Sequence, residues 1–409
     1  MAAGRGAMSG LAGTVSRRRV FYIPGYDPLP PRRYRELYRR EGAAQAAVSG
    51  HRLALGARHG SGGYGWHVDA RIEGHEVAAG IEVLVWSDIV RRSMSAGIVA
   101  TYGQLARTAW LYLHSGALFS LMRLRKGPVI AALYPVAMLL AQLALALALA
   151  RGAGAALALS GVPGSGWAGL AVIWPVLAAF RRADGRLYAY YLMHDYAFTA
   201  GRGGAMPPAL SRRLDAFADR VAGALASDAD EVLIVGHSSG AHLAVSLLAR
   251  MLRAGQVPRR GPALSLLTLG QVVPMVSFLP GAADLRADLA LMSKQARIPW
   301  VDVTAPGDGC AFALCDPVAV SGVAAPGRRW PLVISAAFSR TLSRERWRAL
   351  KWRFFRAHFQ YLCAFDRPGD YDYFAITAGP RTLGARFAGR APSPARIVRA
   401  YSPCRSVAS

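Results

Sequence analysis

The sequence predicts an α/β protein: a mostly parallel sheet flanked by helices, with an inserted pair of apolar membrane helices. Three observations lead there. Strand-like runs alternate with amphipathic helical stretches, the pattern of a parallel sheet covered on both faces. One buried strand leads directly into the pentapeptide Gly236-His237-Ser238-Ser239-Gly240 and then into a helix. Between the early and late strands, residues 128–150 and 152–180 carry no charged side chain.

Composition agrees with a chain that partly leaves water. Of 409 residues, 53% are hydrophobic and 18% charged, and the mean hydropathy is +0.23. Ordinary soluble domains carry fewer apolar and more charged residues. The formal charge is +25, with arginine supplying nearly all of the excess. No zinc-ligand spacing, aromatic RNA-binding signature or long basic helix accompanies that charge, so a nucleic-acid partner rests on charge alone and ranks last, and none is expected. Arginine-rich surfaces facing an anionic leaflet account for it instead. Cys310, Cys315, Cys363 and Cys404 form no CxxC pair and no metal spacing with histidine, and read as thiols in a reducing compartment.

In chain order, residues 1–18 lack an apolar run long enough for a signal peptide and read as a flexible leader. Residues 19–23 (RVFYI) form a strand that ends at Pro24-Gly25. Residues 31–47 are basic and amphipathic, with Tyr34, Leu37 and Tyr38 at helical spacing. In 66–72, Trp66, Val68, Ala70 and Ile72 alternate with polar residues, the period of a half-buried strand, and 81–86 (IEVLVW) is a central strand. These elements form a first part, 19–95, of the α/β domain.

Residues 96–186 form a juxtamembrane and membrane insertion. Its spans fall at about 128–150 and 155–180, each near the ~20 residues a bilayer requires. Arg123, Arg125 and Lys126 precede the pair and Arg181, Arg182 and Arg186 follow it. That bias puts both flanks on the cytoplasmic side of a helical hairpin.

Residues 187–383 form the second part of the domain. Ser211 suits a helix N-cap, and Leu214, Phe217, Val221 and Leu225 make the helix's apolar face. Residues 232–235, 264–269 and 298–303 are strands, 241–253 a helix, and 343–360 helical or loop-helical. Residues 384–409 read as a flexible tail.

The pentapeptide fits G-x-S-x-G, and its setting between a buried strand and an amphipathic helix is where a nucleophile elbow belongs. Small residues two before and two after the serine let strand and helix pack close, and the turn lifts the hydroxyl into a cleft. VLIVGHSSGAHLA resembles the elbow of the α/β-hydrolase superfamily, particularly its lipase and esterase branches. The resemblance covers about two-thirds of the chain and implies the α/β-hydrolase fold with Ser238 as nucleophile, preceded by Gly236 and His237 and followed by Gly240. It also implies a triad in the chain order serine, acid, histidine. Beyond the elbow only His358 remains as base. Asp284, Asp288, Asp302, Asp308, Asp316 and Glu345 lie between the two. The family's acid belongs in the loop after a late strand, which favours Asp308, with Asp316 as the alternative acid. For the oxyanion hole, the backbone N–H of Ser239 and of Tyr26, in the Pro24-Gly25-Tyr26 turn, are the candidates. The family's first two antiparallel strands have no obvious counterpart.

The expected function is a membrane-anchored serine hydrolase that cleaves a lipid or other small acyl ester through an acyl-enzyme, its catalytic domain on the cytoplasmic face. No cofactor or metal is implied. An acyltransferase or thioesterase on the same triad, and a non-catalytic membrane scaffold of the same fold, are the alternatives.

Overall fold

The computed structural model describes residues 14–57, 63–159, 161 and 164–408. The strands are β1 (Arg17–Ile23), β2 (Arg52–Ala57), β3 (Gly65–Ile72), β4 (His75–Val83), β5 (Glu231–His237), β6 (Ala263–Leu269), β7 (Trp300–Thr304) and β8 (Leu332–Ser335). They form one sheet in the order β2-β3-β4-β1-β5-β6-β7-β8. β2, β3 and β4 pair antiparallel, and every pair from β4 through β1 to β8 is parallel. The expected class, a mostly parallel sheet flanked by helices, is the observed one. Its antiparallel edge is supplied by β2–β3, which follow β1 in the chain.

The helices of the first half are α1 (Arg32–Ser49), α2 (Ser87–Ser93), α3 (Ile98–His114), α4 (Ala117–Leu124), α5 (Lys126–Ala158), α6 (Ser165–Ala168), α7 (Ile173–Arg182), α8 (Asp184–Leu187) and α9 (Ala189–Ala200). Then come α10 (Pro208–Leu225), α11 (Gly240–Arg253), α12 (Val273–Ser277) and α13 (Ala283–Ser293). Alternation along the central strands divides the core. Val232, Ile234, Leu264 and Leu266 pack on one face with Leu214, Leu247 and Leu289 of α10, α11 and α13. Leu233, Val235, Leu267 and Val301 face the other way, towards Tyr34 and Tyr38 of α1 and Phe374. A two-residue period serving two covered faces explains why β5 is buried throughout.

Several boundaries differ from expectation. β1 begins at Arg17 and Val15 is fully buried, so residues 14–18 belong to the fold, while 1–13 lie outside the described residues. The strand expected at 81–86 ends at Val83, because Leu84–Trp86 turn into α2. α10 starts at Pro208, so Ser211 is inside it and its hydroxyl accepts from Arg250 instead of capping. The tail expected to be loose lies against the domain: Ile397 bonds Leu314 and Asp316, and Arg286 donates to Ser406 O at 2.6 Å.

A buried ion pair ties the strands to that C-terminal stretch. Arg18 and Glu231 are both fully buried side chains. Arg18 also donates to Gly379 O, and Glu231 accepts from Ser265 and Leu383 N. Removing one partner leaves an uncompensated buried charge, so Arg18→Ala is expected to cost about 3–5 kcal/mol, read from thermal unfolding in detergent.

Asp302 on β7 is fully buried, and accepts from Thr268, which in turn accepts from Trp300 Nε1. Burial pushes its pKa up to about 8. The folded state therefore holds a proton that the unfolded chain releases at lower pH, and the stability this supplies is lost as pH rises towards 8. Asp302→Asn, which cannot ionise, is expected to flatten the fall of the unfolding temperature between about pH 4 and 8.

α5 is the one described helix long and apolar enough to cross a membrane: its best window has a mean hydropathy of 2.1 and is 28% buried. It is a single 33-residue helix, longer than the expected span at 128–150. The second expected span is broken instead into α6, a 3-10 turn at Gly169–Val172, and α7, all packed on α5. Gly169 makes that approach possible: a Cβ there would lie 2.2 Å from Ala150 O and 2.8 Å from Gly154 Cα. Leu140, Leu147, Leu149, Trp167 and Trp174 remain exposed on this unit.

Candidate functional site

β5 delivers the site's central residue. Ser238 has φ +57°, a left-handed conformation that costs a non-glycine residue energy and recurs at functional turns. The flanking sequence permits it. A Cβ at Gly236 would meet Gly240 O at 2.5 Å and Ala241 Cα at 2.8 Å, and one at Gly240 would meet Ile23 O at 2.1 Å. Only glycine at both positions lets β5, α11 and the end of β1 close on each other. Ser238 N donates to Leu269 O at 2.9 Å, which pins the turn to β6.

The turn after β1 covers the serine. A Cβ at Gly25 would lie 2.9 Å from Ser238 Cβ, so this glycine also allows a close approach. Trp86 Nε1 donates to Pro24 O at 3.0 Å, and Tyr191 O–H donates to Tyr26 O. With both carbonyls held, the backbone N–H of Tyr26 is fixed. Among the described residues no acceptor is found for the N–H of Tyr26 or of Ser239, which leads into α11.

Asp308 lies in the loop after β7 and His358 on the short helix Phe354–Phe359. His358 Nδ1 and Asp308 Oδ2 are 2.7 Å apart. The same carboxylate accepts from Tyr361 O–H at 3.0 Å and, through Oδ1, from Cys310 N at 2.9 Å. Burial raises the carboxyl's pKa, but the His358 charge and these hydrogen bonds outweigh it and hold Asp308 below the usual carboxylate range. Asp316, the alternative acid, is elsewhere: it caps Pro317–Val320 by accepting from Val318 N and Ala319 N and pairs with Arg328.

His237 braces His358. Its Nε2 lies 2.9 Å from His358 O, and a carbonyl only accepts, so Nε2 carries the proton and Nδ1 faces Tyr22 O–H. Burial and the neighbouring His358 push its pKa down to about 3, which keeps this ring neutral.

Ser238, Ser239, Tyr26, His237 and His358 line one cleft of about 1120 Å³. Among the described residues Ser238 Oγ has no hydrogen-bond partner, and the engaged edge of His358 is the one facing Asp308. Pro128 and Ala131, from the start of α5, form part of the cleft wall, as do Arg353 and Arg356. Asp308, Cys310 and His358 also bring ligand-type atoms within 4.8 Å of one another. Burial and Asp308 push the Cys310 thiol up, so it stays protonated, and Asp308 already accepts from His358, Tyr361 and Cys310 N. The trio reads as a carboxylate–imidazole pair with a neutral thiol beside it.

Sequence reasoning missed Tyr361 and Asp195, and named Gly25 only as part of the turn at Pro24-Gly25-Tyr26. Gly25 and Tyr361 touch the site through backbone closeness and a hydroxyl that no motif encodes. Asp195, on α9, lines the cleft without a hydrogen-bond partner among the described residues, and burial raises its pKa to about 7. Comparison with protein-family models, curated proteins and solved structures returns no match.

Proposed function

We propose that this chain is a membrane-anchored serine hydrolase of the α/β-hydrolase type, cleaving a lipid or other acyl ester. One observation carries the reading: a serine held at positive φ between two obligatory glycines shares a cleft with a histidine whose far nitrogen is bound to a buried carboxylate. The chain order Ser238, Asp308, His358 and the antiparallel edge of an otherwise parallel sheet support the family assignment.

The chemistry follows from the contacts. Asp308 holds His358 with its proton on Nδ1, leaving Nε2 as the base. As Ser238 Oγ attacks the ester carbonyl carbon, Nε2 takes its proton; the Oγ–Nε2 contact closes on substrate binding. The N–H groups of Ser239 and Tyr26 stabilise the oxyanion. Collapse breaks the ester C–O bond, and the imidazolium returns its proton to the leaving alkoxide. Water, deprotonated by His358, then releases the acid from Ser238. With p-nitrophenyl acetate, release of nitrophenol is expected to show a burst equal to the enzyme concentration before a slower steady state. A strictly linear trace with Ser238 unmodified in the quenched protein would contradict the acyl-enzyme.

Anchoring rests on α5, whose first turn borders the cleft, and on the basic residues before α5 and after α7. A cleft opening beside the cytoplasmic leaflet suits a substrate drawn from the bilayer. The protein is expected to stay in the pellet after carbonate extraction of membranes; release into the supernatant would remove the anchor.

A further inference from the structure

A second cavity, of about 680 Å³, adjoins the cleft. Tyr26, Asp195, Thr199, Ser239 and Val276 line both spaces. The two proposed oxyanion donors therefore stand on the wall between them. Ser238 and His358 line the first space and not the second, so a group lying in the second reaches the serine past Tyr26 and Ser239.

The two sides differ in chemistry. The cleft side includes the first turn of the apolar helix α5. The second side has an apolar wall of Trp86, Phe198 and Leu285 but carries polar groups with unused capacity. Asp195 is half-buried and has no hydrogen-bond partner among the described residues, and His242 Nδ1 is buried without one. Burial raises Asp195 to about 7 against the opposing His358 charge, and lowers His242 to about 4. At the far wall Ser246 donates to Asp288, which pairs with Arg253. Buried polar groups left unmatched cost stability and mark places where a ligand completes them. The volume is in the range of small-molecule sites.

We infer that this second cavity is a recognition site for a hydroxyl-bearing head group, with Asp195 and His242 as its hydrogen-bonding partners. The substrate class is then an ester that joins an apolar acyl chain, lying on the α5 side of the cleft, to a small polyol. This inference rests on the serine-hydrolase reading and deepens it. The polyol is the leaving alcohol: it takes the proton from His358 as the acyl group stays on Ser238.

The test uses the full-length protein in detergent micelles, with fluorophosphonate labelling of Ser238 checked first. Hydrolysis of 1-lauroylglycerol is compared with that of propyl laurate, which has the same acyl chain and the same alcohol carbon count but no free hydroxyls. The wild type is expected to prefer the glyceryl ester by about tenfold or more in kcat/KM. Asp195→Leu and His242→Leu are each expected to reduce that ratio by about fivefold. Asp195→Asn, which still donates and accepts, is expected to keep most of it. A general loss of folding lowers both rates together and leaves the ratio intact, so the ratio isolates recognition. A wild-type ratio near one, or a ratio untouched by both leucine variants, overturns the recognition site. Labelled Ser238 with neither ester cleaved overturns the polyol class and leaves the hydrolase standing; absence of labelling takes both down.

Discussion

Asp308→Asn is expected to lower ester turnover by about 10⁴-fold without unfolding the protein. The carboxylate holds the Nδ1 side of His358 at 2.7 Å and accepts two further hydrogen bonds, from Tyr361 O–H and Cys310 N. An amide at this position offers N–H₂ towards His358 and favours the tautomer with its proton on the wrong nitrogen. It also loses the charge that stabilises the imidazolium. Asp316→Asn separates the two candidate acids. That side chain caps a short helix, a role asparagine keeps, and pairs with Arg328, so the substitution is expected to appear in stability through the lost ion pair and not in rate. Initial rates and thermal midpoints on both variants decide it. A large rate loss in the Asp316 variant, with Asp308→Asn unaffected, would reverse the assignment.

Gly240→Ala is expected to have the next largest effect. The new methyl would begin 2.1 Å from Ile23 O and 2.7 Å from Pro24 O, both backbone atoms. Neither can turn aside as a side chain could, so the end of β1 must move away from α11, at about 3 kcal/mol or more. The same movement carries Tyr26 N–H off the oxyanion position, and a displacement of about 1 Å there costs roughly 10²-fold in rate. Gly223→Ala is the control. Gly223 is exposed on α10 with nothing within 4 Å of an added Cβ. That variant is expected to gain about 0.5–1 kcal/mol from helix propensity. Yield, thermal midpoint and burst amplitude of the two variants would be compared side by side.

The sequence was most informative where local pattern and tertiary demand coincide. VLIV before Gly236 reads as a buried strand because both faces of β5 are covered, and the elbow glycines were legible because backbone closeness leaves no other residue type. The face Leu214, Phe217, Val221 and Leu225 was legible from period alone, whereas the helix start was set by Pro208 and not by Ser211. β2 and β8 escaped notice. β2 is a partly exposed edge strand (RLALGA) without strong alternation, and β8 is four residues long between Pro331 and Ala336-Ala337. The 384–408 stretch looked like a tail because it has little regular structure, yet its backbone is tied to the loop at Leu314–Asp316 by long-range bonds that leave no periodic trace. In the site, chain order pointed to Asp308 and His358. Asp195 and the second cavity arise from α9 folding back over the turn at Tyr26, which nothing local announces.

The most direct measurement is labelling of the membrane-bound protein with a fluorophosphonate probe, comparing wild type, Ser238→Ala and His358→Ala. A fluorophosphonate reports an activated serine before any substrate is known. The account predicts labelling of the wild type, mapped to the peptide containing Ser238, and its loss in both variants while their thermal midpoints stay close to wild type. A folded wild-type protein that takes no label, or a label that persists in Ser238→Ala, would contradict it.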